Sequence, residues 1–583
     1  MVPETKSCEN CKTDFTVASE DFDFYAKMDV PAPRFCPACR LQGRMATFNV
    51  RTIYNRICDL CSKKMISMYR PDSPYTVYCF ACYFSDKWDP LDYGSDYDFS
   101  KDFFTQFNDL MLRIPHLCLE QINNNGEGCE YANYTYKSSN VYLSYNVAGC
   151  ENIFYSMFAN KENKMCFDSL NFKANELCYE IVDSHENYMC SFLTKSQQCI
   201  SSSFLFNCVN CQDCFMSSNK RNKRYVFRNR QCTKEEYLHA LEDIQTTSGA
   251  SQEALKQEYK DMMGSSIVRF ATLINAPDCS GDVIENSKNV KHAFYVWNSE
   301  NLKYVTYSVN TMKDSYDLLD GGRGERMYQL VCNGRGCYNT AFCFSVGNAR
   351  NCFYGSYCND LKDAFGCVNI KSKDYCILNK QYDKEAYEDL RQKIVAQMKQ
   401  VPYVDKQGHR YFYGDFFPIE LSPFAYNETL AVEEFPLAEN EARALGYRWV
   451  NNDAKSHKAD MHAADLPDDL SDASPDLSAK ILRCLNEGEV KYQCTSAYRI
   501  LPEELSFYKR MKLPLPKWCP NCRYYMRRSR MLPMKLWPRQ CMCREEGHGH
   551  LSGGSCPNRF ETPYAEDRPE KVYCEGCYQK EII

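Results

Sequence analysis

The most extended hydrophobic pattern in the chain is a series of short apolar runs that starts near Tyr131. Runs such as 152–158, 163–169 and 175–181 each predict a strand followed by a turn. Similar units begin, at steps of eleven or twelve residues, at Asn140, Asn152, Asn163, Asn175, Asn187, Cys199, Cys211 and Asn222. Stacked units bury their apolar faces only against their neighbours, so the pattern predicts a parallel β-solenoid with a coil of roughly 23 residues made of two steps. An antiparallel meander of short hairpins fits the same spacing and is the alternative.

The repeat occurs twice, and each copy ends in a predicted helix. Residues 229–237 end the first copy, with Thr233 as the expected helix N-cap. Residues 379–387 have a similar sequence and end the second copy. We therefore predict solenoid block 1 with capping helices at 131–265, and solenoid block 2 with a capping helix at 266–400. The helices are expected to cover the open edges of the blocks.

The segments around the repeats differ from them in hydrophobic pattern and composition. An amphipathic stretch from Ser100 to Leu119 predicts a helix within a helical connector at 93–130. Residues 401–450 are aromatic and predict irregular structure laid across a surface. Residues 451–478 are rich in Asp, Ala and Ser, which predicts a flexible acidic linker. The fold class expected from the whole pattern is mainly β.

The strongest indication of a chemical site is a block of paired cysteines that occurs twice in the sequence, at 1–92 and at 479–583. Laying 11–40 over 494–523 without a gap gives eleven identities in thirty residues. The second copy widens two of its four pairs by insertion. The predicted ligands are Cys8, Cys11, Cys36, Cys39, Cys58, Cys61, Cys79 and Cys82 in the first copy, and Cys484, Cys494, Cys519, Cys522, Cys541, Cys556, Cys574 and Cys577 in the second. Cys543 is a rival to Cys541.

Four thiolates on two turns form a closed tetrahedral site for Zn²⁺. Each end of the chain is therefore predicted to be a tandem zinc ribbon, and the protein to hold about four structural zinc ions. Metal binding to such small modules contributes on the order of 10 kcal/mol per site to folding. Disulfides or buried free thiols are the simpler alternative, which four paired turns repeated twice disfavour.

Several short sequence segments resemble those of one protein family. They are 58–61, 85–93, 414–428, 507–516 and 568–578. Across most of its length the chain is similar to a family of uncharacterised zinc-ribbon proteins from small-genome uncultured bacteria. The resemblance implies zinc binding.

Composition changes the picture only in part. Thirty-six cysteines in 583 residues could indicate secretion, but no secretory signal pattern and no run of 18 apolar residues is present. We therefore expect a cytoplasmic protein with reduced thiols and no membrane contact. The net charge of −6 argues against a surface that is basic throughout.

Basic residues are concentrated between the predicted zinc ligands. The C-terminal segment from Phe507 to Gln540 holds ten Lys or Arg residues and no acid, with aromatic residues between them. Its candidate nucleic-acid contacts are Lys509, Arg510, Lys512, Lys517, Trp518, Arg523, Tyr524, Arg527, Arg528, Arg530, Lys535 and Arg539. The first copy carries Lys27, Arg34, Arg40, Arg44, Arg51 and Arg56. Cations and aromatic rings suit phosphate contact and base stacking, so RNA or a ribonucleoprotein is the favoured partner. The alternative is that these cations pair with acidic groups of the protein itself.

The central cysteines carry a weaker signal. Cysteines 208, 211 and 214 could hold a metal or an iron–sulfur cluster, but Cys199 and Cys211 fall in phase with the repeat. Because cysteine is among the most often buried residues, we predict an inward stack of reduced thiols. No catalytic arrangement or small-molecule substrate follows from the spacing. The sequence thus predicts a non-enzymatic, zinc-binding scaffold that binds nucleic acid, or else a protein-interaction or assembly module that uses the solenoid surface.

Overall fold

The computed structural model describes residues 2–122, 128–308, 311–332, 336–451, 458–545, 548 and 555–582. The fold is mainly β, as predicted, with many parallel strands. Two repeat blocks are joined to two cysteine-rich regions, which we call the N-terminal module (2–92) and the C-terminal module (479–582). In the described part of the chain no helix is long and apolar enough to cross a membrane.

The N-terminal module consists of small hairpins, each followed by a helix. In chain order its elements are β1 Glu4–Ser7, β2 Asp14–Val17, α1 Ser19–Lys27, α2 Pro37–Met45, β3 Tyr54–Ile57, β4 Lys64–Ser67, β5 Val77–Tyr78, α3 Phe80–Tyr83 and a 3₁₀ turn at Pro90–Tyr93. Strands β1 and β2 are antiparallel, as are β3 and β4. Pro37 occupies the first turn of α2, where its missing N–H costs nothing.

The connector contains the predicted helix in a shorter form. Its elements are α4 Phe103–Arg113, β6 His116–Leu117 and β7 Gln121–Ile122. The Asp102 side chain caps α4 by accepting a hydrogen bond from the Thr105 N–H. The helix ends before Pro115 because a residue that precedes proline is disfavoured in helical conformation.

Block 1 is a ladder of parallel strands. They are β8 Tyr131–Tyr136, β9 Ser139–Ala148, β10 Glu151–Phe154, β11 Met157–Asn160, β12 Lys164–Phe167, β13 Leu170–Lys173, β14 Glu176–His185, β15 Ser191–Thr194, β16 Ser203–Phe206, β17 Gln212–Ser218 and β18 Arg224–Phe227, followed by the antiparallel β19 Arg230–Gln231. The antiparallel alternative is therefore wrong for these blocks.

The register corrects the predicted coil length. Cys166 pairs with Cys178, Ser191 with Ser203, and Gln212 with Arg224, so the chain returns to the same position after twelve residues. The prediction of roughly 23 residues per coil is wrong by a factor of about two. Within each step the backbone turns often, and about every third residue has a positive φ, for example Asn207, Asn210 and Asp213. Asn and Asp tolerate this left-handed conformation, which explains why Asn recurs through the repeat.

Other asparagines face inward and hold successive steps together. Asn163, Asn175 and Asn187 are at most 2% exposed. The Oδ1 of Asn163 accepts from the N–H of Asn175 at 2.9 Å, and the Oδ1 of Asn175 accepts from Asn187 at 3.0 Å. These bonds satisfy polar groups that burial would otherwise penalise.

The central cysteines point inward, as predicted. They are buried in the block interiors, and their thiols donate to backbone carbonyls, for example Cys166 to Asn175 at 3.4 Å. Burial raises the pKa of the Cys190 and Cys367 thiols well above the ordinary value. These groups are therefore protonated near neutral pH.

Two helices close block 1, α5 Lys234–Glu242 and α6 Gly249–Ser265. The predicted N-cap is confirmed, since the Thr233 hydroxyl oxygen accepts from the Glu236 N–H and the Glu236 carboxylate accepts from the Thr233 N–H. Helix α6 lies against the ladder, where the Tyr259 hydroxyl donates to the Leu205 carbonyl.

Block 2 repeats this plan. Its strands are β20 Ile267–Arg269, β21 Leu273–Ile274, β22 Gly281–Glu285, β23 Lys288–Lys291, β24 Ala293–Trp297, β25 Glu300–Lys303, β26 Thr306–Ser308, β27 Met312–Gly321, β28 Gly324–Val331, β29 Cys337–Phe344, β30 Arg350–Phe353, β31 Asn359–Phe365, β32 Lys371–Ile377 and β33 Lys380–Gln381, and its closing helix is α7 Lys384–Met398. The glycine-rich stretch 321–326 covers the end of β27, the short connection 322–323 and the start of β28, and the ladder continues through it.

The aromatic segment 401–450 is irregular, as predicted, with β34 Tyr403–Val404, β35 Arg410–Tyr411, 3₁₀ turns at Ile419–Leu421 and Tyr426–Glu428, α8 Ala431–Glu434 and α9 Glu439–Ala444. The described part of the segment predicted as a flexible linker, 458–478, packs against the rest of the protein. Leu466, Leu470 and Leu477 are buried, and Asp468 accepts from the Ser248 hydroxyl. This part of the segment is packed against block 1 because its leucines bury their side chains there. The polar composition of the segment as a whole does not indicate this packing. Residues 452–457 lie outside the described part of the chain.

The remaining elements lie in 458–478 and in the C-terminal module. They are β36 Met461–His462, 3₁₀ turns at Ala463–Asp465, Leu470–Asp472 and Pro475–Ala479, β37 Leu482–Arg483, a 3₁₀ turn at Val490–Tyr492, β38 Ala497–Tyr498, α10 Pro502–Met511, α11 Pro520–Arg528, β39 Trp537–Gln540, β40 Arg559–Thr562, β41 Lys571–Tyr573 and α12 Glu575–Ile582.

Candidate metal centres and the basic segments around them

All sixteen predicted ligands come together in four groups of four thiols. The groups are Cys8, Cys11, Cys36 and Cys39; Cys58, Cys61, Cys79 and Cys82; Cys484, Cys494, Cys519 and Cys522; and Cys541, Cys556, Cys574 and Cys577. In each group the four Sγ atoms lie within 4.8 Å of one another. Each group could hold a metal ion, including the two whose pairs are widened by insertions.

The sulfur geometry fits a tetrahedral ion. An ion with four Zn–S bonds of about 2.3 Å requires neighbouring sulfurs about 3.8 Å apart. The Sγ atoms of Cys11 and Cys36 are 3.7 Å apart, those of Cys61 and Cys79 3.8 Å, those of Cys494 and Cys519 3.8 Å, and those of Cys556 and Cys574 3.9 Å. A disulfide would need about 2.05 Å. The donor set and its spacing therefore suit a tetrathiolate metal ion.

Backbone amides support each group in the same way. The N–H of the third cysteine donates to the Sγ of the first in all four groups, at 3.2 Å for Cys36 to Cys8, 3.3 Å for Cys79 to Cys58, and 3.2 Å for both Cys519 to Cys484 and Cys574 to Cys541. Side-chain amides add a contact in three groups, for example Asn10 to Cys39 at 3.3 Å. Hydrogen bonds to sulfur favour the thiolate form that a metal requires.

Cys543 belongs to a second, overlapping set. Its Sγ is 3.1 Å from His548 Nδ1, and these two atoms group with Cys577 as a possible three-ligand set. Cys541 completes the four-thiol group. The structure thus places the two rival cysteines in different environments.

Two arginines of each module hold a buried carboxylate of one repeat block. In what we call the C-terminal clamp, Arg523 and Arg527 of α11 lie 2.6 and 2.5 Å from the two oxygens of Asp168. In the N-terminal clamp, Arg40 and Arg44 of α2 lie 2.9 and 3.1 Å from Asp317. All these side chains are at most 4% exposed. Burial at this level requires such pairing, since an unpaired charge would be very costly.

The clamps connect each module to the block that is more distant in sequence. The N-terminal module reaches block 2, and the C-terminal module reaches block 1. Aromatic contacts repeat the pattern, since Phe24 stacks on Tyr316 and Phe507 on Phe167, both with ring centroids 3.9 Å apart. The duplicated sequence has therefore kept a duplicated contact.

Strand pairings connect the N-terminal module to the connector and the C-terminal module to block 2. Strand β5 of the N-terminal module pairs in parallel with β6, just before block 1, and β41 of the C-terminal module pairs in parallel with β20, at the start of block 2. The N-terminal module also contacts block 1, where the Asn133 Nδ2 donates to the Asn49 carbonyl at 3.3 Å, so each module contacts both blocks.

The aromatic and arginine groups of the predicted nucleic-acid segment are largely used inside the protein. Arg523, Tyr524 and Arg527 are buried. Arg528 pairs with Glu434, and Arg530 lies 2.9 Å from Glu180. The Tyr524 hydroxyl donates to Glu433, so its ring is not free to stack on a base. The four arginines match the alternative expectation, in which the cations pair with the protein's own acids.

The other candidates are more accessible. Lys509, Arg510, Lys512 and Lys535 are exposed, whereas Lys517, Trp518 and Arg539 are half-buried. Arg539 donates to the carbonyl of Ala565 at 3.0 Å. In the first copy, Arg34 pairs with Asp415 and Arg51 with Glu433, while Lys27 is exposed.

Sequence reasoning missed the two clamp carboxylates. Asp168 and Asp317 follow an aromatic residue in the repeat, at 167–168 and at 316–317, where a buried acid is unusual. An acidic residue directly after an aromatic residue of the repeat was the sequence feature that could have identified them.

Comparison with known proteins adds little. No protein-family model matches the chain, and no curated protein matches it. A solved structure from Desulfovibrio desulfuricans G20, provisionally named as an acetyltransferase, aligns with 52% of this chain and 82% of its own at 10% identity, with a TM-score of 0.11. A likeness at this level carries no argument about fold or function. The resemblance to zinc-ribbon proteins stays a prediction.

Proposed function

We propose that the protein is a non-enzymatic scaffold in which four structural zinc ions stabilise two modules that fasten two β-solenoids together. Zinc is favoured because closed sets of four thiolates are its usual structural sites. The solenoid interpretation is supported by the parallel register of twelve residues, with occasional steps of thirteen. The crossed arginine clamps are the observation that carries the proposal, because each joins a metal-binding module to a repeat block.

Of the two scaffold roles predicted from the sequence, the geometry favours a protein-interaction or assembly module whose ribbons are structural. The ribbon residues best suited to phosphate and bases, Arg523, Tyr524 and Arg527, are committed to contacts within the chain. The nucleic-acid role retains Lys509, Arg510, Lys512 and Lys535 as exposed contacts. Thiolate ligands and buried thiols support a reducing, cytoplasmic environment.

Binding of RNA is the direct test of this choice. Zinc-loaded protein is titrated into a fluorescently labelled single-stranded RNA of about 20 nucleotides at about 150 mM salt, and anisotropy is recorded. We expect no binding stronger than non-specific affinity, about 10⁻⁶ M or weaker. Tighter binding that is lost in the triple variant Lys509→Glu, Arg510→Glu, Lys512→Glu would instead support the nucleic-acid role.

A further inference from the structure

A cavity with a volume of about 370 Å³ lies where three parts of the chain meet. Block 1 forms one wall, block 2 forms the opposite wall, and the C-terminal module contributes Tyr564 and Tyr578. Its size falls within the usual range for small-molecule sites, about 300–1,000 Å³. The scaffold role makes no use of this cavity.

The repeat lines the block 1 wall with polar side chains. Consecutive steps of the ladder stack Lys173, His185, Gln197, Val209 and Arg221 in one column, each paired with the next. All five line the cavity. Because neighbouring strands are about 4.8 Å apart, the column spaces polar groups at intervals that a ligand with several acceptor atoms can span.

The cavity carries an excess of positive charge. Its walls hold Lys161, Lys173, Lys195, Arg221 and Arg269 against two carboxylates, Asp183 and Glu285. Lys195 and Arg269 already pair with Asp282 and Glu575. By contrast, no carboxylate of the described residues lies within 4.0 Å of Lys161, Lys173 or Arg221. In a chain with a net charge of −6, this concentration of unpaired cations favours an anionic ligand.

Arg221 is held in a fixed position beside a buried hydroxyl. Its guanidinium donates to the Asn207 carbonyl and, at 3.0 Å, to the Tyr578 hydroxyl. The Nδ2 of Asn207 donates to the same hydroxyl at 2.6 Å.

Tyr578 is only 1% exposed, and its oxygen accepts two hydrogen bonds. Its own O–H has no acceptor among the described residues. A buried donor of this kind, next to a fixed guanidinium and a cavity, points to an acceptor supplied by a ligand.

We propose that this cavity binds a small phosphorylated molecule. Phosphate oxygens would accept from Arg221, from the Tyr578 hydroxyl and from Lys173, since guanidinium and ammonium groups form strong charge-assisted bonds with phosphate. Trp297, on the block 2 wall, offers a flat apolar surface for an uncharged part of the ligand. Tyr578 directly follows the ligand Cys577, so the fourth metal site fixes one side of the pocket.

Calorimetric titration of the zinc-loaded full chain tests the proposal with three probes. Pyrophosphate and adenosine diphosphate carry phosphate, and adenosine is the matched probe without it. We expect one equivalent of each phosphate-bearing probe to bind, more weakly as salt rises, and adenosine not to bind. Absence of binding by both phosphate probes at millimolar concentration and low salt overturns the proposal, and so does binding of adenosine as tight as that of adenosine diphosphate.

Variants then locate the site. The double variant Lys161→Gln, Lys173→Gln changes exposed or half-buried side chains, so it should fold normally and lose at least about tenfold in affinity for pyrophosphate. Tyr578→Phe should weaken binding by a similar factor at unchanged zinc content. Lys164→Gln, Lys223→Gln removes two exposed lysines outside the cavity and is the matched control. Equal affinity in wild type, in the first double variant and in Tyr578→Phe would place the bound probe elsewhere and refute the assignment.

Discussion

Replacing Asp168 by Asn should loosen the C-terminal module from block 1. The substitution keeps the size of the side chain but removes the charge that two arginines share, at 2.6 Å from Arg523 and 2.5 Å from Arg527. Asp168 is fully buried, so water cannot replace it. Loss of one partner from a buried ion pair typically costs about 3–5 kcal/mol.

The chain has several domains, and one global unfolding free energy is therefore not well defined. Hydrogen exchange followed by mass spectrometry can report the opening of α10 and α11 separately from that of block 2. A loss of 3–5 kcal/mol corresponds to exchange at least about a hundredfold faster in the opening-limited regime. The increase should be confined to α10, α11 and the contacting part of block 1.

Asp213→Asn is the matched control in the same block. Asp213 pairs with Arg224 at 3.1 Å, but the two side chains are 25% and 54% exposed, and such pairs contribute about 0–1 kcal/mol. If Asp168→Asn leaves the exchange of α11 as slow as the control does, the clamp does not hold the module, and the reasoning from buried charge is refuted.

Four further predictions concern the clamp, the metal sites and the buried groups. Asp317→Asn should accelerate exchange in α1 and α2 while α11 is unchanged, whereas uniform acceleration would argue against separate clamps. Cys541→Ser should remove one bound metal ion in metal analysis, and Cys543→Ser should leave the number unchanged, since only Cys541 completes a four-thiol group. Burial raises the pKa of Glu120 to about 7 from an ordinary value of 4.5, so the folded state keeps a proton that the unfolded state loses and stability falls as pH rises through this range. Compared with wild type at the same pH, Glu120→Gln should therefore slow hydrogen exchange in β8, which contacts residue 120, more at pH 8 than at pH 6, and an equal change at both values would contradict this. Thiol titration in denaturant with chelator should find nearly all 36 cysteines free, and a deficit of several thiols would indicate disulfides.

The metal groups were predictable because their ligands are local and duplicated. Pairs such as Cys36 and Cys39 need only a turn before a helix, and the second copy shows which insertions the site tolerates. The parallel ladder followed from the spacing of units, but the coil length did not. Asn occurs both at turns with positive φ and in the buried ladder, so the same residue type occupies different positions within the twelve-residue step.

The contacts of the basic segments were not predictable in the same way. Arg527 and Asp168 are separated by 359 residues, and a list of cations gives no information on which acid they meet. The cavity is also hidden from sequence reasoning, because its walls come from both blocks and from the C-terminal module. The packing of 458–478 was not predicted because the average composition of the segment 451–478 is polar. Three of its leucines nevertheless bury apolar surface against the rest of the protein, which stabilises the packed arrangement.

The zinc content of the purified 583-residue chain, measured by mass spectrometry of the metal against protein concentration, tests the central claim most directly. Four groups of thiols with the sulfur spacing of a tetrahedral ion predict four zinc ions per chain. A value of two or fewer tightly bound ions would contradict the account of two metal-stabilised modules that fasten the repeat blocks together.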